Sequence, residues 1–189
     1  MPLSRSNLPS YRTERLILRP WKEEDFDFFA QLKSDHEVMR YFPKLLGRQE
    51  SNEVAHKIIN SMNQNKFGIW MVEETNHHER VGIVGLQRVN FAAHFTPAVE
   101  VGWKLARQHW GKGYATEAAR KSLELGFTDF GLEEIVALTI PENQASRKVM
   151  ERLGMTYNPD EDFEHPKIEP GSRCSKHVIY RIKKDNFAF

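Results

Sequence analysis

Gln108-His109-Trp110-Gly111-Lys112-Gly113-Tyr114-Ala115-Thr116-Glu117-Ala118 is the stretch that decides the fold. An apolar extended run, 98–105, precedes it, and a helical run ending near Phe130 follows it. Two glycines one residue apart let a backbone pass close to a ligand without an intervening side chain. The first N–H groups of a helix lack intrahelical partners and carry the positive end of its dipole. Strand, glycine turn and helix start therefore make a site for a phosphate or pyrophosphate. A tight turn followed by a packed helix is the bland alternative. Lys112 argues against it, because a purely structural turn needs no cation. Ala115, Ala118, Ala119 and Ser122 let the helix lie close on a sheet. No Gly-Lys-Ser/Thr ends the loop, so it is no Walker A loop. Gly111-x-Gly113-x-x-Thr116, with Glu134 further on, is nearer to a dinucleotide fingerprint.

Outward from that stretch, the order is strand, two helices, three strands, helix, strand, helix, two strands. The first strand lies around 15–21 and the amphipathic helix over 48–65, with Val54, Ala55, Ile58, Ile59 and Met62 on one stripe. Strands over 67–73 and 80–90 flank the turn Thr75-Asn76-His77-His78 and form a hairpin. The run 134–140 is almost continuously apolar, as expected in the middle of a sheet. A helix over 143–153 stops at Gly154, and extended segments follow over 155–163 and 177–183. A dinucleotide fold would repeat strand–helix units after the fingerprint, and too little chain follows Ile140 for that. The hairpin-rich front half also argues against a mainly parallel sheet. The dinucleotide reading fails on topology.

The chain has 189 residues, enough for one domain with a sizeable core. Residues 1–13 read as a flexible lead-in and 14–189 as the single domain. A net charge of +1 provides no overall field for nucleic acid or anionic lipid. One cysteine, Cys174, forbids an internal disulfide and fits a reducing compartment. No signal-peptide core and no apolar window of membrane-spanning length are present, so the expected location is cytoplasmic. The eight histidines show no metal-ligand spacing.

The element order, with Gln108-x-x-Gly111-x-Gly113 between a central strand and a helix, resembles the GNAT superfamily of acetyl-CoA-dependent N-acetyltransferases. The resemblance spans roughly 13–183. Glu100-Val101-Gly102-Trp103 followed by 110–118 is similar to the Rim-type branch of ribosomal-protein N-terminal acetyltransferases. Asn143-x-x-Ser146-x-x-Val149-x-x-x-x-Gly154 resembles that branch's second cofactor motif. The resemblance implies an α/β (α+β) fold: a mixed, largely antiparallel sheet of about seven strands, flanked by about four helices and splayed at the central strand. It implies acetyl-CoA as cosubstrate and no metal. The pyrophosphate falls to Gln108, His109, Gly111, Lys112, Gly113, Tyr114, Ala115 and Thr116, and the pantetheine arm to the backbone of Trp103, Lys104 and Leu105. Asn143 either caps its helix or reaches the cofactor.

The implied chemistry needs a base for the attacking amine and a proton donor for the departing thiolate. Many family members place a tyrosine donor where this chain has Met150. Ser146, one helical turn earlier, is the implied substitute, with a bond back to its own helix as the alternative. For the base, Glu100 on the central strand competes with His165 of the 162–166 segment and with a water chain. A glutamate at position 100 has the alternative of pairing with a cation on the next strand. The implied reaction moves an acetyl group directly, in a ternary complex, to a primary amine: a peptide or protein N-terminus, or a small amine. The other reading, carried by Met150, is a degenerate acetyl-CoA sensor. No nucleic acid or membrane partner is implied, and a monomer and a homodimer both fit.

Overall fold

The computed structural model describes residues 8–189. Its strands are β1 (Tyr11–Arg12), β2 (Leu16–Arg19), β3 (Ile69–Glu74), β4 (Arg80–Arg88), β5 (Val99–Leu105), β6 (Glu134–Thr139), β7 (Thr156–Tyr157), β8 (Phe163–Glu164) and β9 (Lys176–Lys183). The helices are α1 (Asp25–Ser34), α2 (Arg48–Asn65), α3 (Tyr114–Thr128) and α4 (Gln144–Arg152). The sheet runs β1-β2-β3-β4-β5-β6-β9-β7, with β8 paired to β9. Nine strands exceed the expected seven because β1, a two-residue segment too short to show a period, adds one, and the expected extended segment over 155–163 forms two, β7 and β8. Part of the expected lead-in is ordered as β1, which pairs with β2 through Tyr11↔Leu18; residues 1–7 of it lie outside the described residues.

Every pairing is antiparallel except β5 with β6, which the crossover helix α3 joins. That parallel pair meets at a single register, Glu100↔Val136. Beyond it the two strands diverge toward their carboxyl ends, leaving a wedge in the middle of the sheet. By contrast, β4 and β5 are zipped from Gly82↔Leu105 to Arg88↔Val99.

Alternation assigns the faces of β5. Val101 and Leu105 are buried, and Trp103 is partly buried on the same face. α3 lies on that face: a Cβ on its Gly126 would meet Leu86 and Ile135, and Leu86 is the partner of Val101. Glu100, Gly102 and Lys104 point the other way, where Met39 and Phe42, just after α1, cover Lys104. A second apolar cluster of Phe95, Val136 and Ile179 lies on the face of Glu100.

Charge is also buried at the front of the sheet. Arg19 of β2 donates to Asp25 at 2.8 and 2.9 Å and to Glu73 of β3 at 2.6 Å, while Arg80 of β4 donates to Asp25 at 2.7 Å. Asp25 is fully buried, so these bonds replace its water. No described helix is long and apolar enough to cross a membrane.

Candidate active site

The wedge presents backbone, and the hydrogen-bond pattern shows whose. Val89 donates to Ala98 and Ala106 to Val81, which fixes the bonded pairs of the β4–β5 ladder. In an antiparallel ladder bonded and non-bonded pairs alternate. Counting inward, Lys104, Gly102 and Glu100 turn their peptide groups to β4, and Val101, Trp103 and Leu105 turn theirs to the wedge. The peptide groups of Lys104, expected to contact the cofactor, are thus spent on β4, whereas those of Trp103 and Leu105 are turned to the wedge. The Leu105 carbonyl is already engaged by the Trp110 indole N–H at 2.9 Å.

At the wedge's open end lies the glycine loop. Gly111 (φ 75°) and Gly113 (φ 81°) both occupy the left-handed region, which explains the residue type at both positions. A Cβ at Gly111 would meet nothing within 4 Å, so that face of the loop is open. It opens on a cleft of about 530 Å³ lined by Arg15, Lys112, Thr116, Glu117, Arg120 and Arg152 together with the two glycines. Four cations against one acid, at the first turn of α3, fit a phosphorylated ligand. Arg15 is held in place by Glu117 at 2.6 Å and donates to the Lys112 carbonyl at 2.9 Å. Burial opposes ionisation of Glu117, but bonds from Thr13 and Arg15 outweigh it and hold its carboxyl low.

Arg15, Arg120 and Arg152 were not found in the sequence. Arg120 had a signal, since it lies one helical turn beyond Thr116; Arg15, just before β2, and Arg152, at the end of α4, had none. His109 sits elsewhere than expected. Its ring is 1 % exposed and turned inward, 3.5 Å from Glu74 and 3.4 Å from Glu79. Tyr114 donates to the same Glu74 at 2.9 Å. Tyr114 fastens the loop to the β3–β4 turn, the His109 ring is buried beside the same acids, Gly111, Lys112, Gly113 and Thr116 line the cleft, and Gln108 is exposed.

Asn143 caps α4. Its Oδ1 accepts from the Ser146 N–H at 3.2 Å, and its Nδ2 donates to Thr139 Oγ and Ser146 Oγ, both at 3.0 Å. The amide is spent within the protein, and its contribution is to fix Ser146 at the carboxyl end of β6. Among the described residues Ser146 Oγ accepts only from Asn143 and makes no bond back to its helix, so its own proton is available. Met150 is 1 % exposed and belongs to the core.

Glu100 makes no ion pair among the described residues. Its cross-strand neighbour Gln87 donates to it, so the alternative of a cation on the next strand falls away. Burial pushes its carboxyl pKa up, only partly offset by Gln87. His165 follows β8, its ring 4.4 Å from Phe91 and 5.0 Å from His177. Burial lowers the pKa of both histidines. His177 Nδ1 donates to the Ser175 carbonyl at 3.2 Å. Glu100 and this aromatic–histidine group flank the same apolar patch, Phe95, Val136 and Ile179. No three His, Cys, Asp or Glu side chains among the described residues converge as a metal site requires.

Fold and site define a sheet opened beside its central strand, with a cationic glycine loop at the mouth of the opening. Residues 15–156 match the family model of the acetyltransferase (GNAT) domain, and the chain belongs to the GNAT acetyltransferase family. It is 34% identical over 149 residues to the YkkB protein of Bacillus subtilis, covering 77% of this chain and 84% of that one. It is 34% identical over 146 residues to the N-acetyltransferase p20 of Bacillus licheniformis, covering 75% and 79%. The GNAT-family acetyltransferase structure from Bacillus anthracis superposes with a TM-score of 0.77 at 27% identity, over 94% of this chain and 99% of that one. The protein is an N-acetyltransferase that uses acetyl-CoA, and these likenesses favour it over a degenerate sensor.

Proposed function

We propose that the protein acetylates a primary amine, on a peptide or protein N-terminus or a small molecule, by direct transfer in a ternary complex. One observation carries the reading: the single-register β5–β6 pair opens a wedge at Glu100, between a cationic cleft and a histidine-lined patch. Acetyl-CoA, when bound, supplies an acyl group activated as a thioester. Trp103 and Leu105 offer peptide groups along the wedge, and the amides of 111–116 offer donors to phosphate oxygens. Glu100 accepts a proton from the acceptor nitrogen, a role its raised pKa favours at neutral pH. Ser146 Oγ holds a proton at the wedge mouth for the leaving sulfur. His165 and His177, kept neutral, line the acceptor side. With its pKa lowered by burial, His165 serves as an alternative base, reached through water.

The names of other relatives bear on the acceptor. The FsC-acetyl coenzyme A-N(2)-transacetylase of Aspergillus fumigatus is 32% identical over 156 residues, and the spermidine N(1)-acetyltransferase of Escherichia coli 28% over 141. Both support an amine acceptor and differ in what that amine carries. The Rim-type motifs around Trp103 and Ser146 support a peptide α-amine. The test is free-thiol release from acetyl-CoA with a panel of peptides, amino acids, polyamines and amino sugars. Release is expected with at least one primary amine. No release from any of them, by a protein that still binds acetyl-CoA, would overturn the reading and restore the sensor.

A further inference from the structure

Lys104 carries its ammonium group into the protein instead of out to water. The residue is 8% exposed, and its Nζ lies 3.5 Å from the centroid of the Phe42 ring and 3.4 Å from Met39 Sδ. Lys33, in the last turn of α1, brings a second Nζ to the same ring, 5.6 Å from its centroid. Among the described residues no carboxylate pairs with either. The nearby acids are taken: Asp35 by Arg107 at 2.9 Å and Glu37 by Arg40 at 3.7 Å.

Two like charges sharing a desolvated place repel and are each short of water. A purely structural side chain at position 104, between a methionine and a phenylalanine, would be served by leucine or methionine. Paired lysines with no anion are instead what half of a binding site looks like. Burial, and then the charge of Lys33, hold Lys104 well below the ordinary lysine range, and burial lowers Lys33 as well. An arriving anion would restore both charges.

The position is suited to an acceptor. Lys104 shares a face of β5 with Glu100 and lies four residues along, a separation of about 13 Å at strand spacing. That face is opposite the one packed on α3, and Lys104 does not line the cationic cleft at the glycine loop. Phe42, which covers the amine, is itself 39% exposed, so the movement of one ring opens the pair to solvent. We infer that Lys33 and Lys104 form a subsite for a carboxylate carried by the acceptor, making the preferred substrate an amine that bears a distant acid group, such as a short peptide, and not a polyamine. The substrate class rests on the amine-acetyltransferase reading; the anion site does not.

Matched acceptors test it: short peptides against the same peptides as C-terminal amides. In the wild type kcat/KM is expected to favour the acid at least tenfold. In Lys33→Met and Lys104→Met the ratio, read within each variant, should fall close to one. Both variants replace a desolvated cation with an apolar side chain, so their Tm should equal or exceed that of the wild type. A ratio near one in the wild type, or a tenfold ratio surviving in both variants, would overturn the proposal. Calorimetry with glutarate against glutaramide provides a readout that needs no turnover. Glutarate should bind the wild type with CoA present and bind neither variant. Displacement of glutarate by CoA alone would assign the lysines to a cofactor phosphate, and equal binding by the variants would make glutarate adventitious; either result overturns the acceptor subsite. If no amine is acetylated but glutarate binding depends on the lysines, the transfer reading fails and the anion site stands. If amines are acetylated without preference and glutarate does not bind, the anion site fails and the transfer reading stands.

Discussion

At Glu100, burial tunes the carboxyl without a charged neighbour, since only the neutral Gln87 bonds to it. A base acts deprotonated, so kcat/KM should rise with pH through the raised pKa and level off above it. Glu100→Gln should flatten that acid limb and lower kcat by roughly 10²–10⁴-fold. An acid limb unchanged in Glu100→Gln would move the base to His165. The sign for stability is opposite to that for activity. A carboxyl whose folded pKa exceeds its unfolded value binds more protons in the folded state, so its stabilising contribution declines as pH rises through that window. Two loop residues follow the same residue-level logic. Gly111→Ala and Gly113→Ala should each cost about 1–2 kcal/mol of stability, because both positions have left-handed φ. Each should also weaken acetyl-CoA binding about tenfold, or about 1.4 kcal/mol, in a titration on protein shown to be folded. Lys112→Ala should weaken it less, since an exposed charge is screened. The reverse order would make the loop a cationic patch and not a backbone cradle.

At the scale of elements, α4 shows how a cap becomes part of a site. Asn143→Ala removes the bond to the Ser146 amide and should destabilise the protein by about 1 kcal/mol in denaturant unfolding. It also frees Ser146 Oγ, so kcat should fall while KM for acetyl-CoA changes little. A large rise in that KM would return Asn143 to direct cofactor contact. What was legible in the sequence follows element by element. β6 showed itself by its unbroken apolar run and α3 by glycines and small residues, because both signals are local. The wedge had no local sign: it is the consequence of a parallel neighbour that meets β5 only at Glu100↔Val136. Lys104 entered the sequence reading only as a backbone contact, since the burial of its side chain comes from the distant segment around Met39 and Phe42. His109 read as a loop ligand for the same reason, as its acidic neighbours come from the β3–β4 turn.

Across the whole molecule, the front of the sheet is tied together by the buried set Arg19, Asp25 and Glu73, joined by the half-buried Arg80. Burial opposes ionisation of Asp25 and Glu73, but bonds and charge from Arg19, with further bonds from Lys22 and Arg80 to Asp25 and from His78 to Glu73, together outweigh it and lower both pKa values. Their contribution is therefore present above the unfolded values of 3.8 and 4.5 and is lost as pH falls through the lower folded ones. Asp25→Asn leaves Arg19 buried without its main partner and should cost about 3–5 kcal/mol in denaturant unfolding. A cost under about 1 kcal/mol would mean that water reaches the network. The cosubstrate is expected to lie where this sheet opens between β5 and β6. A crystal structure with acetyl-CoA tests it most directly. The pantetheine arm is expected in the wedge against the peptide groups of Trp103 and Leu105, with Lys104 still bonded to β4 and the pyrophosphate on the amides of 111–116. A cosubstrate bound elsewhere, or β5 and β6 paired along their length, would contradict it.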